Sequence, residues 1–142
     1  MSASLSDFLS QNLMLVALFF VSGSMLLWPT FAKLLGAGGK ELGTLETTRL
    51  MNSGTALVLD IRDNAEFNNG RIPKSKNIPL AEIASRHAEI SKFKDKPVIV
   101  TCGANNRSSA AIRALKANGF TDVYSLQGGF SAWQQASLPV EK

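Results

Sequence analysis

Residues 8 to 32 carry no charged side chain, and within them Leu13 to Trp28 reads LMLVALFFVSGSMLLW. A helix lying on a soluble core needs polar positions at helical spacing to face water, and this run lacks them. About 20 consecutive apolar residues cross a bilayer, a length that residues 8–32 supply. The chain is therefore expected to open with one transmembrane helix whose far interface is marked by Trp28 and Pro29. A cleaved signal peptide would start with a basic region, whereas Asp7 is the one charge from Met1 to Asn12. Ser22, Gly23 and Ser24 are small enough to let another helix approach the span closely.

The 142 residues then divide into an anchor over residues 1–32, a glycine-rich linker over 33–43 and a domain over 44–142. All fifteen Lys and Arg, and ten of the eleven Asp and Glu, follow residue 32. With Lys33 and Lys40 just past the span, the positive-inside rule predicts an inner (cytoplasmic) membrane protein with its domain in the cytoplasm. The basic excess is dispersed, with no Lys/Arg run and no interleaved aromatic platform, so no nucleic-acid partner is expected. Proximity to an anionic leaflet accounts for it.

The domain alternates apolar runs with helical periodicity. A helix is predicted from Thr44, with Leu45, Leu50 and Met51 as its apolar stripe and Asn52-Ser53-Gly54 as its end. Ala56–Ile61 (ALVLDI) reads as a buried strand and Leu80–Ile90 as a surface helix. Pro97–Thr101 forms a second strand, Arg107–Asn118 a helix packing Ala111, Ile112 and Leu115 inward, and Thr121–Leu126 the last strand. This order predicts an α/β fold, a parallel sheet with helices on both faces. Asp60 and Arg62 fall at the carboxyl end of a strand, the end that faces the crevice in such sheets. Asp60 is expected either to orient Arg107 or the loop amides, or to form a weak surface pair with Arg62. His87 is the only histidine and reads as an exposed helix residue; no metal site is expected.

The chemistry concentrates in Lys96–Ala111, KPVIVTCGANNRSSAA. A strand that ends in a tight loop feeding a helix turns successive N–H groups, and the positive end of the helix dipole, into the loop. Cys102, the only cysteine, opens that loop, and Arg107 closes it. A sulfur anion held over N–H donors beside a guanidinium is stabilised, and the thiolate is the nucleophile. Cys102 is the candidate catalytic residue, with Gly103, Ala104, Asn105, Asn106, Arg107 and Ser108 as the candidate binding loop. A lone cysteine cannot form an internal disulfide, which suits a reducing compartment.

The four-residue spacing between Cys102 and Arg107 resembles the active-site loop of the rhodanese family of sulfurtransferases. Phosphatases of related fold use one residue more, so the loop length favours sulfur over phosphate. Two further stretches resemble rhodanese signatures. DIRDNAEFNNGRIPKSKNIPL matches at Asp60, Arg62, Glu66, Phe67, Gly70, Ile72, Pro73, Asn77, Ile78 and Pro79, with Arg71 where the family usually has His. QGGFSAWQQASLPV matches at Gly128, Gly129, Phe130, Trp133, Leu138 and Pro139.

The resemblance implies a rhodanese-like domain that moves sulfane sulfur through a Cys102 persulfide, taking it from thiosulfate or another persulfide. A thiol or protein acceptor then receives it, and no cofactor is needed. Asn105 stands where many members have glycine, and Arg107 is the loop's only charge. Weak attraction for the thiosulfate dianion is expected, pointing to a persulfide or protein donor. A membrane-tethered interaction module with little turnover is the alternative reading.

Overall fold

In the computed structural model, which describes residues 4–34, 39–103 and 107–142, the charge-free stretch is helical. Helix α1 (Leu5–Gln11) stops at Asn12, whose side-chain amide donates to the Phe8 carbonyl at 2.9 Å, and α2 (Leu13–Leu34) follows. Leu13–Phe31 is long and apolar enough to cross a membrane. Two of its serines find partners inside the helix: Ser22 and Ser24 donate to the Phe19 and Val21 carbonyls at 3.1 and 2.8 Å. Hydrocarbon demands such internal satisfaction.

Gly38–Lys142 form a second compact unit. Its strands are β1 (Lys40–Leu42), β2 (Leu57–Asp60), β3 (Lys76–Asn77), β4 (Val98–Thr101) and β5 (Val123–Leu126). They lie in the order β1-β5-β4-β2-β3, every pair parallel. The helices are α3 (Thr44–Asn52), α4 (Asn64–Asn69), the single turn α5 (Ile83–Arg86), α6 (Ser108–Ala117) and α7 (Gly129–Gln135). The predicted α/β architecture, a parallel sheet flanked by helices, is the observed one.

Period-two alternation splits the core into two layers. Leu57, Leu59, Val98, Val100 and Val123 pack with Ile83, Ile90, Ala111, Ile112 and Leu115, so α5 and α6 cover one face. Val58, Ile99 and Leu126 pack with Phe130 and Trp133, and Leu50 and Met51 join them, so α7 and α3 cover the other. Trp133 is 2% exposed and its indole N–H donates to the Pro139 carbonyl at 2.8 Å. Gly119, with φ +91, follows the C-cap of α6 and turns the chain out of the helix.

Several local expectations are corrected. Lys40–Leu42, assigned to the linker, pairs with Tyr124–Leu126 as the edge strand β1; three residues with one apolar side chain are too short for periodicity to register. Leu45 faces solvent, and Thr47 takes the buried position on α3. The predicted helix over residues 80–90 is broken into a 3-10 turn at Leu80–Glu82, α5, and a 3-10 stretch at His87–Phe93. Ile90 leaves helical geometry at φ −115 and is fully buried. His87 is half-buried, its Nδ1 hydrogen-bonded with the Ala84 carbonyl at 3.0 Å. Gly70 is extended at φ 165, and its packing is close: a Cβ there would sit 3.2 Å from Val140.

Candidate active site

Val98, Val100 and Cys102 alternate onto the same face of the central strand, so the thiol follows β4 toward α6. Cys102 is 3% exposed, and its Sγ lies 3.4 Å from Oγ of Ser108, the buried first residue of α6. The main chain beside it is held by α7. Phe130 N–H donates to the Cys102 carbonyl at 2.8 Å, and the Ser131 hydroxyl donates to the Gly103 carbonyl at 2.9 Å. Gly128 and Gly129 make this contact possible, with φ of +74 and +62. A Cβ on Gly129 would fall 2.4 Å from the Cys102 carbonyl oxygen, a contact that a larger residue cannot make unchanged.

A cleft of about 280 Å³ opens over the thiol, lined by Ile61, Arg62, Glu66, Cys102, Gly103, Arg107 and Ser131. Of the residues proposed from sequence, the fold brings Cys102, Gly103, Arg107 and Arg62 to this cleft, and Ser108 to the sulfur. Ala104, Asn105 and Asn106 lie outside the described residues. Arg107 is exposed and enters no ion pair among the described residues.

Of the two partners expected for Asp60, the structure pairs it with Arg62. Alternation turns its side chain to the layer of α3 and α7, away from α6 and Arg107. There it binds Arg62: Nη2 donates to Oδ2 at 2.7 Å, Nε to Oδ1 at 3.0 Å, and the Arg62 backbone N–H to Oδ1 at 3.0 Å. Arg62 also donates to the Gly70 carbonyl at 2.7 Å and lies over the Phe130 ring, its guanidinium carbon 4.0 Å from the centroid. At 0% and 7% exposure this is a buried pair, not the weak surface pair that was the other expectation. Buried charges require this degree of hydrogen bonding.

Two lining residues escaped the sequence reading as site residues. Glu66 was legible only as scaffold within a signature, and Ser131 carries no signal in periodicity or charge. Arg71, the departure from the signature, is structural: it sits over Phe67 at 5.0 Å and pairs its backbone with Glu141. Among the described residues no cluster of three His, Cys, Asp or Glu could hold a metal.

A five-stranded parallel α/β domain with one cysteine at the carboxyl edge of its central strand and a guanidinium in the same cleft has the architecture of a rhodanese fold. The rhodanese-like domain profile matches residues 44–136, and the chain belongs to that family. It is 36% identical over 97 residues to the thiosulfate sulfurtransferase GlpE of Pseudoalteromonas translucida, covering 68% of this chain and 90% of that protein. It is 38% identical over 96 residues to YibN of Escherichia coli K12, an uncharacterized protein, covering 67% of each. The crystal structure of a rhodanese-related protein from Thermoplasma volcanium matches with a TM-score of 0.64 at 28% identity, covering 72% of this chain and 97% of that one. Homologues named thiosulfate sulfurtransferase support sulfurtransferase activity in general terms.

Proposed function

We propose that the protein is a membrane-anchored sulfurtransferase that carries sulfane sulfur as a persulfide on Cys102. The observation that supports this most is the thiol's place: the only cysteine opens onto a cleft that also receives Arg107 and the main chain of Gly103. In the first half-reaction the Cys102 thiolate attacks the outer sulfur of the donor. A new S–S bond forms and the donor's own S–S bond breaks, its electron pair leaving with sulfite from thiosulfate or with a thiolate from a persulfide. In the second, an acceptor thiolate attacks the outer sulfur of the persulfide and Cys102 leaves as thiolate. One covalent intermediate shared by two half-reactions gives ping-pong kinetics.

Arg107 and Ser108 hold the sulfur anion, and Asp60 supports the site by fixing Arg62 at the cleft wall. Residues 8–32 anchor the chain in the inner membrane, with the domain on the cytoplasmic side where Lys33 and Lys40 follow the span. The partners are a sulfur donor and a thiol or protein acceptor.

The test is intact-mass analysis of the full chain in detergent micelles after incubation with thiosulfate or a low-molecular-weight persulfide, beside Cys102→Ser. A reducible gain of one sulfur atom on the wild type alone is expected. No gain from either donor would overturn the reading in favour of a tethered interaction module.

A further inference from the structure

We propose that the amino edge of the sheet, centred on Lys92, Lys94 and Lys96, is a docking surface for anionic phospholipid headgroups of the anchoring membrane, and that docking turns the Cys102 cleft toward water. The inference rests on the membrane-anchor reading and is independent of sulfur transfer. All strand pairs are parallel, so the amino ends share one edge and Cys102 follows β4 at the other. Residues 91–96, SKFKDK, lead into β4 at the amino edge. Thr121 fixes them there, its backbone N–H and its hydroxyl both donating to the Lys94 carbonyl at 3.1 Å. Phe93 packs against the core, and the Nζ atoms of Lys92 and Lys96 stand 5.2 and 5.7 Å from its ring centroid. One half-buried ring thus carries two ammonium groups at the surface. None of the three lysines enters an ion pair among the described residues. Of the acids nearby, Asp122 accepts from the Tyr124 hydroxyl, and Asp95 is the one acid within the segment. Lys116, exposed in the last turn of α6, adds charge to the same edge, because that helix runs back from the Cys102 loop.

The chain enters the domain at this edge as well. Lys40 opens β1, two strands from β4 and so about 10 Å away. Gly39 fixes the entry with φ +69 against α6, where a Cβ would sit 2.7 Å from Cδ1 of Ile112. Five residues, 35–39, separate α2 from β1, and fully extended they span about 20 Å. The tether therefore keeps the lysine edge within reach of the leaflet, while the cleft lies at the far ends of the strands. An anionic leaflet attracts each lysine near its surface by about 5-fold in the binding constant.

The test uses the full chain in a Cys102→Ser background, with bimane on Ser91→Cys at the lysine edge or on Gln127→Cys, an exposed position past the carboxyl end of β5. Each is reconstituted in nanodiscs containing nitroxide-headgroup lipid, made of phosphatidylcholine alone or mixed with phosphatidylglycerol. Bimane at residue 91 should be quenched in the anionic discs, much less in the zwitterionic ones, and released by high salt. Residue 127 should stay bright throughout. Adding Lys92→Gln/Lys94→Gln/Lys96→Gln should lower the docked-to-free ratio about 5-fold per lysine. Equal quenching at residue 91 in both lipids, equal quenching at residues 91 and 127, or no effect of the glutamines overturns the proposal alone. Failure of the chain to enter discs of either composition overturns the anchor reading and this proposal with it.

Discussion

The backbone N–H of Phe130 donates to the carbonyl of Cys102 at 2.8 Å, so the last helix grips the main chain at the residue that bears the thiol. The grip depends on Gly129, whose φ is +62 and whose missing Cβ leaves room for the Cys102 carbonyl. Gly129→Ala should cost about 2–3 kcal/mol of stability, from left-handed strain and the clash combined. It should also slow sulfur loading of Cys102. Urea unfolding alongside the mass assay checks both, and an unchanged loading rate would dissociate α7 from the site.

Arg62→Met strands a carboxylate that is 0% exposed, and breaking a buried pair in this way costs about 3–5 kcal/mol. The double variant Asp60→Leu/Arg62→Met should recover most of that loss, because no charge is then left buried. The double-mutant cycle measured by urea unfolding reads the coupling. Additive single effects would show that the pair is not a unit.

Placement of the domain in the cytoplasm is testable because Cys102 is the only thiol. In a Cys102→Ser background, Lys142→Cys adds a reporter at an exposed position. A membrane-impermeant maleimide should label it in inverted inner-membrane vesicles but not in intact spheroplasts. Labelling of spheroplasts would reverse the orientation.

Glu89 should leave a small acid-side signature. The hydrogen bond from Arg86 holds its carboxyl below the ordinary 4.5, with Lys76 contributing in the same sense. A depressed folded value means that the stabilisation is present above 4.5 and fades as pH falls through the lower folded value. Glu89→Gln should therefore be slightly less stable than wild type at neutral pH and converge with it in acid. A gap that persists in acid would assign the effect to packing.

Legibility of the chain followed the length of each signal. The charge-free stretch, the runs at Leu57–Asp60 and Val98–Thr101, and the inward stripe of α6 were readable because burial writes itself into periodicity. β1 was not, since an edge strand of three residues with two charges looks like linker until its partner is known. The broken helix at 80–93 was hidden because apolar spacing does not distinguish an α-helix from a 3-10 segment that buries the same isoleucines. At the site, Cys102 and Arg107 stood out by type and spacing. Ser131 did not, because its position is set by where α7 begins, which depends on a backbone contact with Cys102.

The place of β5 in the sheet carries a consequence for synthesis. It lies between β1 and β4, yet it is made last, more than eighty residues after β1. On an emerging chain the first strand, β1, has no neighbour, and the main chain of Cys102 has no α7 to hold it. Such non-local pairing is slow, and that of β1 cannot begin before β5 has been made. We expect chains stalled before Val123 to remain protease-sensitive near Lys40, and protection there would show that β1 orders without β5. The nucleophile thus stays unassembled until β5 and α7 have emerged, when a single insertion closes the sheet and seats α7 beneath Cys102.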